Sequence, residues 1–279
     1  MIAANNNRWL LAALFIVIPL IPLIPMSAWA QQSATERQEL WQDSDTWTLV
    51  APADLKPDPA MLVGLRAIYH REESLLSDPL VEEAGFQFDR GWLKGEPILI
   101  ARFHTSGDRA RSESGPSSWM TLLDPASMES LGSMSSNSRW GSLVTRKTET
   151  GTLKWRLGVD ETDWADGGSI ETHEPMIALS VWGHVLGTMR LQDGMKFRLQ
   201  AFRSWIGPAF RVAGRTEFED TQGRPHGVWA VETNMGSGWI GITYVKDEAP
   251  FFMGFEMRHA ESGDVKIRWR LKSFQRLAG

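Results

Sequence analysis

Val265-Lys266-Ile267-Arg268-Trp269-Arg270-Leu271-Lys272 is an unbroken alternation of apolar and cationic side chains. A β-strand sends successive side chains to opposite faces, so Val265, Ile267, Trp269 and Leu271 share one face. Lys266, Arg268, Arg270 and Lys272 share the other, spaced about 7 Å apart. A helix would scatter both sets around its circumference. The same two-residue rhythm, bounded by Gly, Asp and Ser turns, dominates the chain from about residue 62 onward.

Working outward, the pattern predicts strands at Phe86–Trp92, Ile98–His104, Ser118–Leu123 and Leu153–Val159. Further strands are expected at Lys196–Phe202, Phe210–Phe218, Val228–Asn234, Trp239–Val245 and Phe251–Arg258. They follow one another at hairpin distance, which requires antiparallel pairing, because parallel pairs need crossovers of about a dozen residues or more. One stretch breaks the rhythm. Ala178, Trp182, Val185 and Met189 recur at helical spacing behind Pro175, which suits a first helical turn. The fold class is therefore mainly β: a large antiparallel curved sheet or half-barrel with one amphipathic helix at about 175–186. Thr105–Ser118 and Gly132–Ser138 are rich in Ser and Gly and are expected to be mobile hairpin tips.

The N-terminus carries a different signal. Arg8 precedes an apolar run from Trp9 to Met26, and Ala28-Trp29-Ala30 ends it in the small-x-small pattern of a signal-peptidase site. Pro19, Pro22 and Pro25 interrupt the run, which disfavours a permanent spanning helix. The expected organisation is a signal peptide over 1–30 cleaved after Ala30, a polar lead-in over 31–60, and a single β-rich domain over 61–279. The product would be periplasmic or secreted, with no membrane span left after cleavage. There is no cysteine, which excludes disulfides, zinc-thiolate sites, cysteine nucleophiles and a lipoprotein anchor. A net charge of −5 argues against a dedicated nucleic-acid partner.

Four segments resemble a known family: "TLLDPASMESL" (121–131), "LQDGMKFRL" (191–199), "FRVAGRTEFEDTQGRPHGVWAVE" (210–232) and "YVKDEAPFFMGFEM" (244–257). With the strand that ends in an Asp-Pro turn, the Val212, Gly214 and Gly223 hairpin and the Glu248-Ala249-Pro250 lead-in, they resemble a Gram-negative periplasmic domain family of unknown function. The resemblance implies an open curved sheet similar to lipoprotein-carrier and lipocalin-like proteins over about residues 85–276. It implies no catalytic residue.

The candidate ligand-binding residues are Lys266, Arg268, Arg270 and Lys272, with Trp182 and Trp269. The cations read either as a rail for an anionic lipid head group or glycan, or as a solvated outer face paired with Glu256. On either reading, reversing Arg268 and Arg270 to Glu should spare the fold, since polar-face substitutions change stability by under about 0.5 kcal/mol. The chain has 14 Trp. Trp119, Trp155, Trp229 and Trp239 fall in strand segments like Trp269, as core fillers or as platforms in a lipophilic pocket.

Asp160, Asp163 and Asp166 lie in an acidic stretch, yet Ala165 stands where a calcium loop needs an oxygen ligand, so they are weak metal candidates. Gly236-x-Gly238-x-x-Gly241 falls between two strands with no helix to receive a phosphate. His173-Glu174-Pro175 cannot open a zincin helix, no G-x-S-x-G elbow occurs, and no cofactor is expected. The favoured function is binding or carriage of an amphipathic or acidic envelope ligand. The alternatives are a hydrolase or lyase acting on an envelope or environmental polymer, and an assembly factor that binds a protein partner.

Overall fold

The computed structural model describes residues 41, 43–50, 59–74, 80–106, 117–137, 141–149, 151–157, 163, 165–171, 177–178, 181–199, 201–202 and 209–277. Residues 32–279 belong to one compact unit. The first half of the chain supplies β1 (Leu49–Val50), β2 (Leu65–Glu73), β3 (Leu80–Leu93), β4 (Glu96–Thr105) and β5 (Ser117–Leu123). There follow β6 (Ser130–Asn137), β7 (Gly141–Thr148), β8 (Gly151–Leu157), β9 (Ala165–Glu171) and β10 (Ile177–Ala178). The second half supplies β11 (Lys196–Leu199), β12 (Ala201–Phe202), β13 (Ala209–Glu219) and β14 (Pro225–Gly236). It closes with β15 (Trp239–Val245), β16 (Phe252–His259) and β17 (Val265–Arg276). Two single-turn α-helices stand among the described residues, α1 (Pro59–Leu62) and α2 (Trp182–Leu186), with a single 3-10 turn at Ser44–Thr46.

Fifteen strands form one sheet, in the order β1-β11-β13-β14-β15-β16-β17-β2-β3-β4-β5-β6-β7-β8-β9. Neighbours pair antiparallel except β1 with β11, which run parallel. The terminal strands β1 and β9 do not pair with each other, so the sheet stays open rather than closing as a lipocalin barrel does. Two antiparallel meanders, β2–β9 and β13–β17, meet at the β17·β2 seam, where Trp269 stands opposite Arg71.

The sheet curves because its inner face is aromatic. β4 and β17 are three strand spacings apart, about 14 Å on a flat sheet. Yet Phe103 and Trp269 stack with ring centroids 5.7 Å apart. Tyr69, Phe86 and Phe252 fill the same concavity, and helix α2 roofs it. The roof sits close because of glycine: a Cβ on Gly183 would lie 2.6 Å from Phe252 Cδ2. On the opposite face of the C-terminal meander, Phe218 stacks on Tyr244 at 4.0 Å, and the β13–β14 turn reaches β17 through Thr221 N, which donates to Leu271 O at 3.0 Å. Every residue of β15 after Trp239 is therefore buried, whichever way it points.

Three sequence expectations are corrected. Helix α2 spans Trp182–Leu186, and within the expected 175–186 segment Ile177–Ala178 forms strand β10 beside β12. A β-branched Ile and two glycines, Gly183 and Gly187, leave that segment weak as a longer helix. Gly132–Asn137 is not a loop tip but most of β6. Ser133 Oγ meets Thr145 Oγ1 at 2.8 Å across the pair, so hydroxyl contacts replace the apolar signal of a strand. Part of the acidic stretch is also strand: Asp166 lies in β9 opposite Trp155.

Candidate ligand-binding cleft

The structure distributes the predicted residues over two faces. Arg268, Arg270 and Lys272 lie on the outer face of β17, each against a carboxylate. Arg268 Nε donates to Glu256 at 2.7 Å, Arg270 pairs with Glu72, and Lys272 pairs with Glu83. Lys266 is half-buried at the start of the strand, and its carbonyl accepts from Ser74 N at 3.0 Å. Glu256 is buried and also accepts from Arg258 and from the Tyr244 hydroxyl at 3.1 Å. Burial pushes the Glu256 carboxyl up, but Arg258 and Arg268 outweigh it and hold it below the usual range. Trp269 faces inward among Tyr69, Phe86, Phe103 and Phe252, and Trp182 packs from α2 onto Phe210 at 5.5 Å and Phe255 at 5.9 Å.

Asp163 is exposed, Asp166 sits in a strand, and Asp160 lies outside the described residues; no group of three metal-ligating side chains gathers among those described. His184 is buried against Phe86, Phe88 and Phe252, with neither ring nitrogen hydrogen-bonded, and burial pushes its pKa down to about 3. His226 lies 3.1 Å from Asp220. That carboxylate is committed to its turn: it also accepts from Arg224 Nε at 2.8 Å and from the backbone N–H groups of Gln222 and Arg224.

A cleft of about 410 Å³ was not foreseen from sequence. One wall is the segment leaving α2. Thr188 N and Met189 N donate back to Val185 O and Leu186 O, turning the chain at Gly187, where a Cβ would lie 2.6 Å from Phe251 Cβ. The facing wall is the 246–251 loop. Phe251 is buried there with φ +65, a left-handed conformation costly for an aromatic residue. The loop holds it by hydrogen bonds from Lys246 N to Phe251 O at 2.7 Å and from Phe251 N to Glu248 O at 2.8 Å.

Across the cleft, the bulge at Val212/Gly214 sets Arg215 opposite Trp229. The Arg215 guanidinium lies 4.0 Å from the Trp229 ring centroid, a cation–π pair. Asp247 clamps both, accepting from Arg215 at 2.5 Å and from Trp229 Nε1 at 3.1 Å. A guanidinium has five N–H donors. Asp247 engages one Arg215 nitrogen, and Arg190, exposed on the other wall, has no carboxylate partner among the described residues. Met61, Met189 and Phe251 supply apolar surface. The cleft thus joins an apolar lining to two guanidinium groups, one preorganised.

No family model and no curated protein matches the chain. Three solved structures are similar in outline. The Pseudomonas aeruginosa MucA/MucB complex matches at 10% identity and a TM-score of 0.26, over 82% of this chain and 58% of that one. An exported protein with a YmcC-like fold from Bacteroides fragilis, described as putative, matches at 5% identity and a TM-score of 0.30, over 77% and 96%. A DUF1329 family protein from Desulfovibrio piger matches at 6% identity and a TM-score of 0.27, over 82% and 92%. At such scores the likeness carries no inference about family or function.

Proposed function

We propose that this chain is an exported binding protein that holds the anionic head of an amphipathic molecule in the cleft between the α2 exit and the 246–251 loop. The carrying observation is the Arg215 guanidinium, laid on Trp229 and clamped by Asp247 beside the unopposed Arg190. A carboxylate or phosphate can accept from a guanidinium in a planar, two-bond geometry, which gives orientation as well as attraction. The lining of Met61, Met189 and Phe251 suits the first carbons of an acyl or alkyl chain, and about 410 Å³ falls within the usual range for small-ligand sites. Carriage is favoured over hydrolysis because the Asp220–His226 contact sits in a hairpin turn, its carboxylate already saturated. Export rests on the segment before Ala30, and the exported chain should begin at Gln31 when sequenced.

Calorimetric titration with dodecyl phosphate and with dodecyl maltoside tests the reading. The phosphate should bind and the uncharged maltoside should bind far more weakly. Replacing Arg190 and Arg215 together by Gln should weaken the phosphate by about tenfold or more, the scale of a lost hydrogen bond to a charged group. Equal affinity for the two head groups, or an unaffected double variant, would refute it.

A further inference from the structure

The β3–β4 hairpin ends in a different kind of surface. From Arg90 to Pro97 every side chain but the intervening Gly91 is exposed, whereas Phe88 and Leu99 just below are buried. Trp92 is 74% exposed and Leu93 40%, consecutive residues that flank the extremity of β3 on its two faces. Single exposed apolar residues are ordinary, but an adjacent Trp and Leu at a tip are not scattered surface. The tip is stiff. Lys94 and Gly95 both have positive φ, 53 and 90, which is the two-residue turn whose twist matches the flanking strands.

Its charge is also distinctive. Arg90 and Lys94 have no carboxylate partner among the described residues, unlike Arg102 one strand over, which pairs with Asp89. The tip carries these two cations against Glu96, on a chain whose net charge is −5.

We infer that this hairpin tip docks on an anionic lipid surface, with Trp92 at head-group depth, Leu93 in the acyl boundary, and Arg90 and Lys94 against the lipid phosphates. Trp prefers the membrane–water interface because its ring is apolar and its N–H needs a polar partner. Basic residues beside a shallow apolar anchor add attraction to anionic lipid. The placement suits the fold. Phe88 of β3, six residues before Lys94, accepts through its carbonyl from Gly64 N at 2.9 Å, and Met61 of the cleft lies three residues before Gly64. One end of the sheet thus carries both the tip and the cleft, although the docking inference stands without any ligand in the cleft.

The absence of cysteine makes the test direct. Leu93→Cys in the full chain takes a nitroxide label, and Glu261→Cys, exposed in the β16–β17 turn at the opposite end of the sheet, takes the control label. The apolar run at 9–26 can itself tether the chain to vesicles, so the readout is immersion of the label rather than attachment. With vesicles of phosphatidylethanolamine and phosphatidylglycerol, the label at 93 should become accessible to lipid-dissolved oxygen and shielded from a water-soluble nickel chelate. The label at 261 should not change. Adding Arg90→Glu and Lys94→Glu to the labelled chain should lower the immersed fraction by roughly fivefold for each cation removed. A label at 93 as open to nickel as the one at 261 would overturn the inference. So would dipolar broadening between labels without vesicles, which would give the tip to a second copy of the chain.

Discussion

The two meanders use the same pairing geometry and reach opposite solutions for their faces. In the C-terminal one, β15 is buried on both sides, with α2 over one face and the β13–β14 hairpin folded onto the other. In the other, β6 buries Gly132 alone, and Ser133, Ser135 and Asn137 are half-buried hydroxyl and amide groups. The first is held by apolar area throughout, whereas the second passes from the buried apolar faces of β2–β4 to the hydrogen-bond ladder and Ser–Thr pair of β6 and β7. Stability should therefore be concentrated around the seam and fall away toward β9.

The sharpest contrast comes from paired truncations. Phe252→Ala removes a ring that touches Tyr69, Phe86, Trp269 and His184 in the inner core. It should cost about 3–5 kcal/mol in urea unfolding. Met134→Ala on β6, where the side chain is 48% exposed, should stay within about 0.5 kcal/mol. Similar losses at the two positions would break the comparison.

Charge at the seam comes next. The alternation in β17 marks Arg268 as an outer-face residue whose reversal the fold should tolerate. Its contact with the buried Glu256 says otherwise. Arg268→Glu leaves two carboxylates facing each other and should cost about 3 kcal/mol or more by the same measurement. If the fold is spared, the outer-face cations are independent of the core, and their availability to an anion has to be reconsidered.

The smallest expected effect is set by pH. His184 titrates near 3 when folded and near 6.5 when unfolded, so below pH 6.5 the unfolded chain alone takes up the proton. Its contribution is complete above that value and declines as the pH falls toward 3. Between pH 7 and pH 5 the wild type should lose about 2 kcal/mol more than His184→Leu does. Parallel stability curves for the two proteins would show that the buried ring is not held neutral.

Where burial follows alternation, the sequence was readable. The apolar half of β17 and the runs in β13–β16 show their strands directly, and these strands carry a large share of the core. Legibility failed where polar groups satisfy one another. β6 reads as a loop because Ser133 and Thr145 conceal a cross-strand pair behind loop-forming residue types. The α2 periodicity looked longer than the helix because Gly183 and Gly187 serve close approach to Phe252 and Phe251 rather than helix propagation.

The cleft was hidden for a geometric reason. Arg190, Arg215, Trp229 and Asp247 come from four separate stretches, and they converge only after the bulge at Gly214, with φ 114, shifts the register that follows. The Val212-x-Gly214 pattern was visible, but nothing local says which side chain the shift will deliver.

The β17·β2 seam has a consequence for how the chain comes to be made. Ile267 pairs with Glu73 and Arg276 with Leu65, so the strand that completes the middle of the sheet is synthesised after both of the strands it must join. Each meander can form by short hairpin closures, whereas their junction waits for contacts of very high sequence separation, the slow class of folding event. During that interval β2 presents an open edge to any other chain nearby. Its own sequence, Leu65-Arg66-Ala67-Ile68-Tyr69-His70-Arg71-Glu72-Glu73, places charges of both signs along that edge. Those charges discourage a stranger from pairing there until the proper partner arrives.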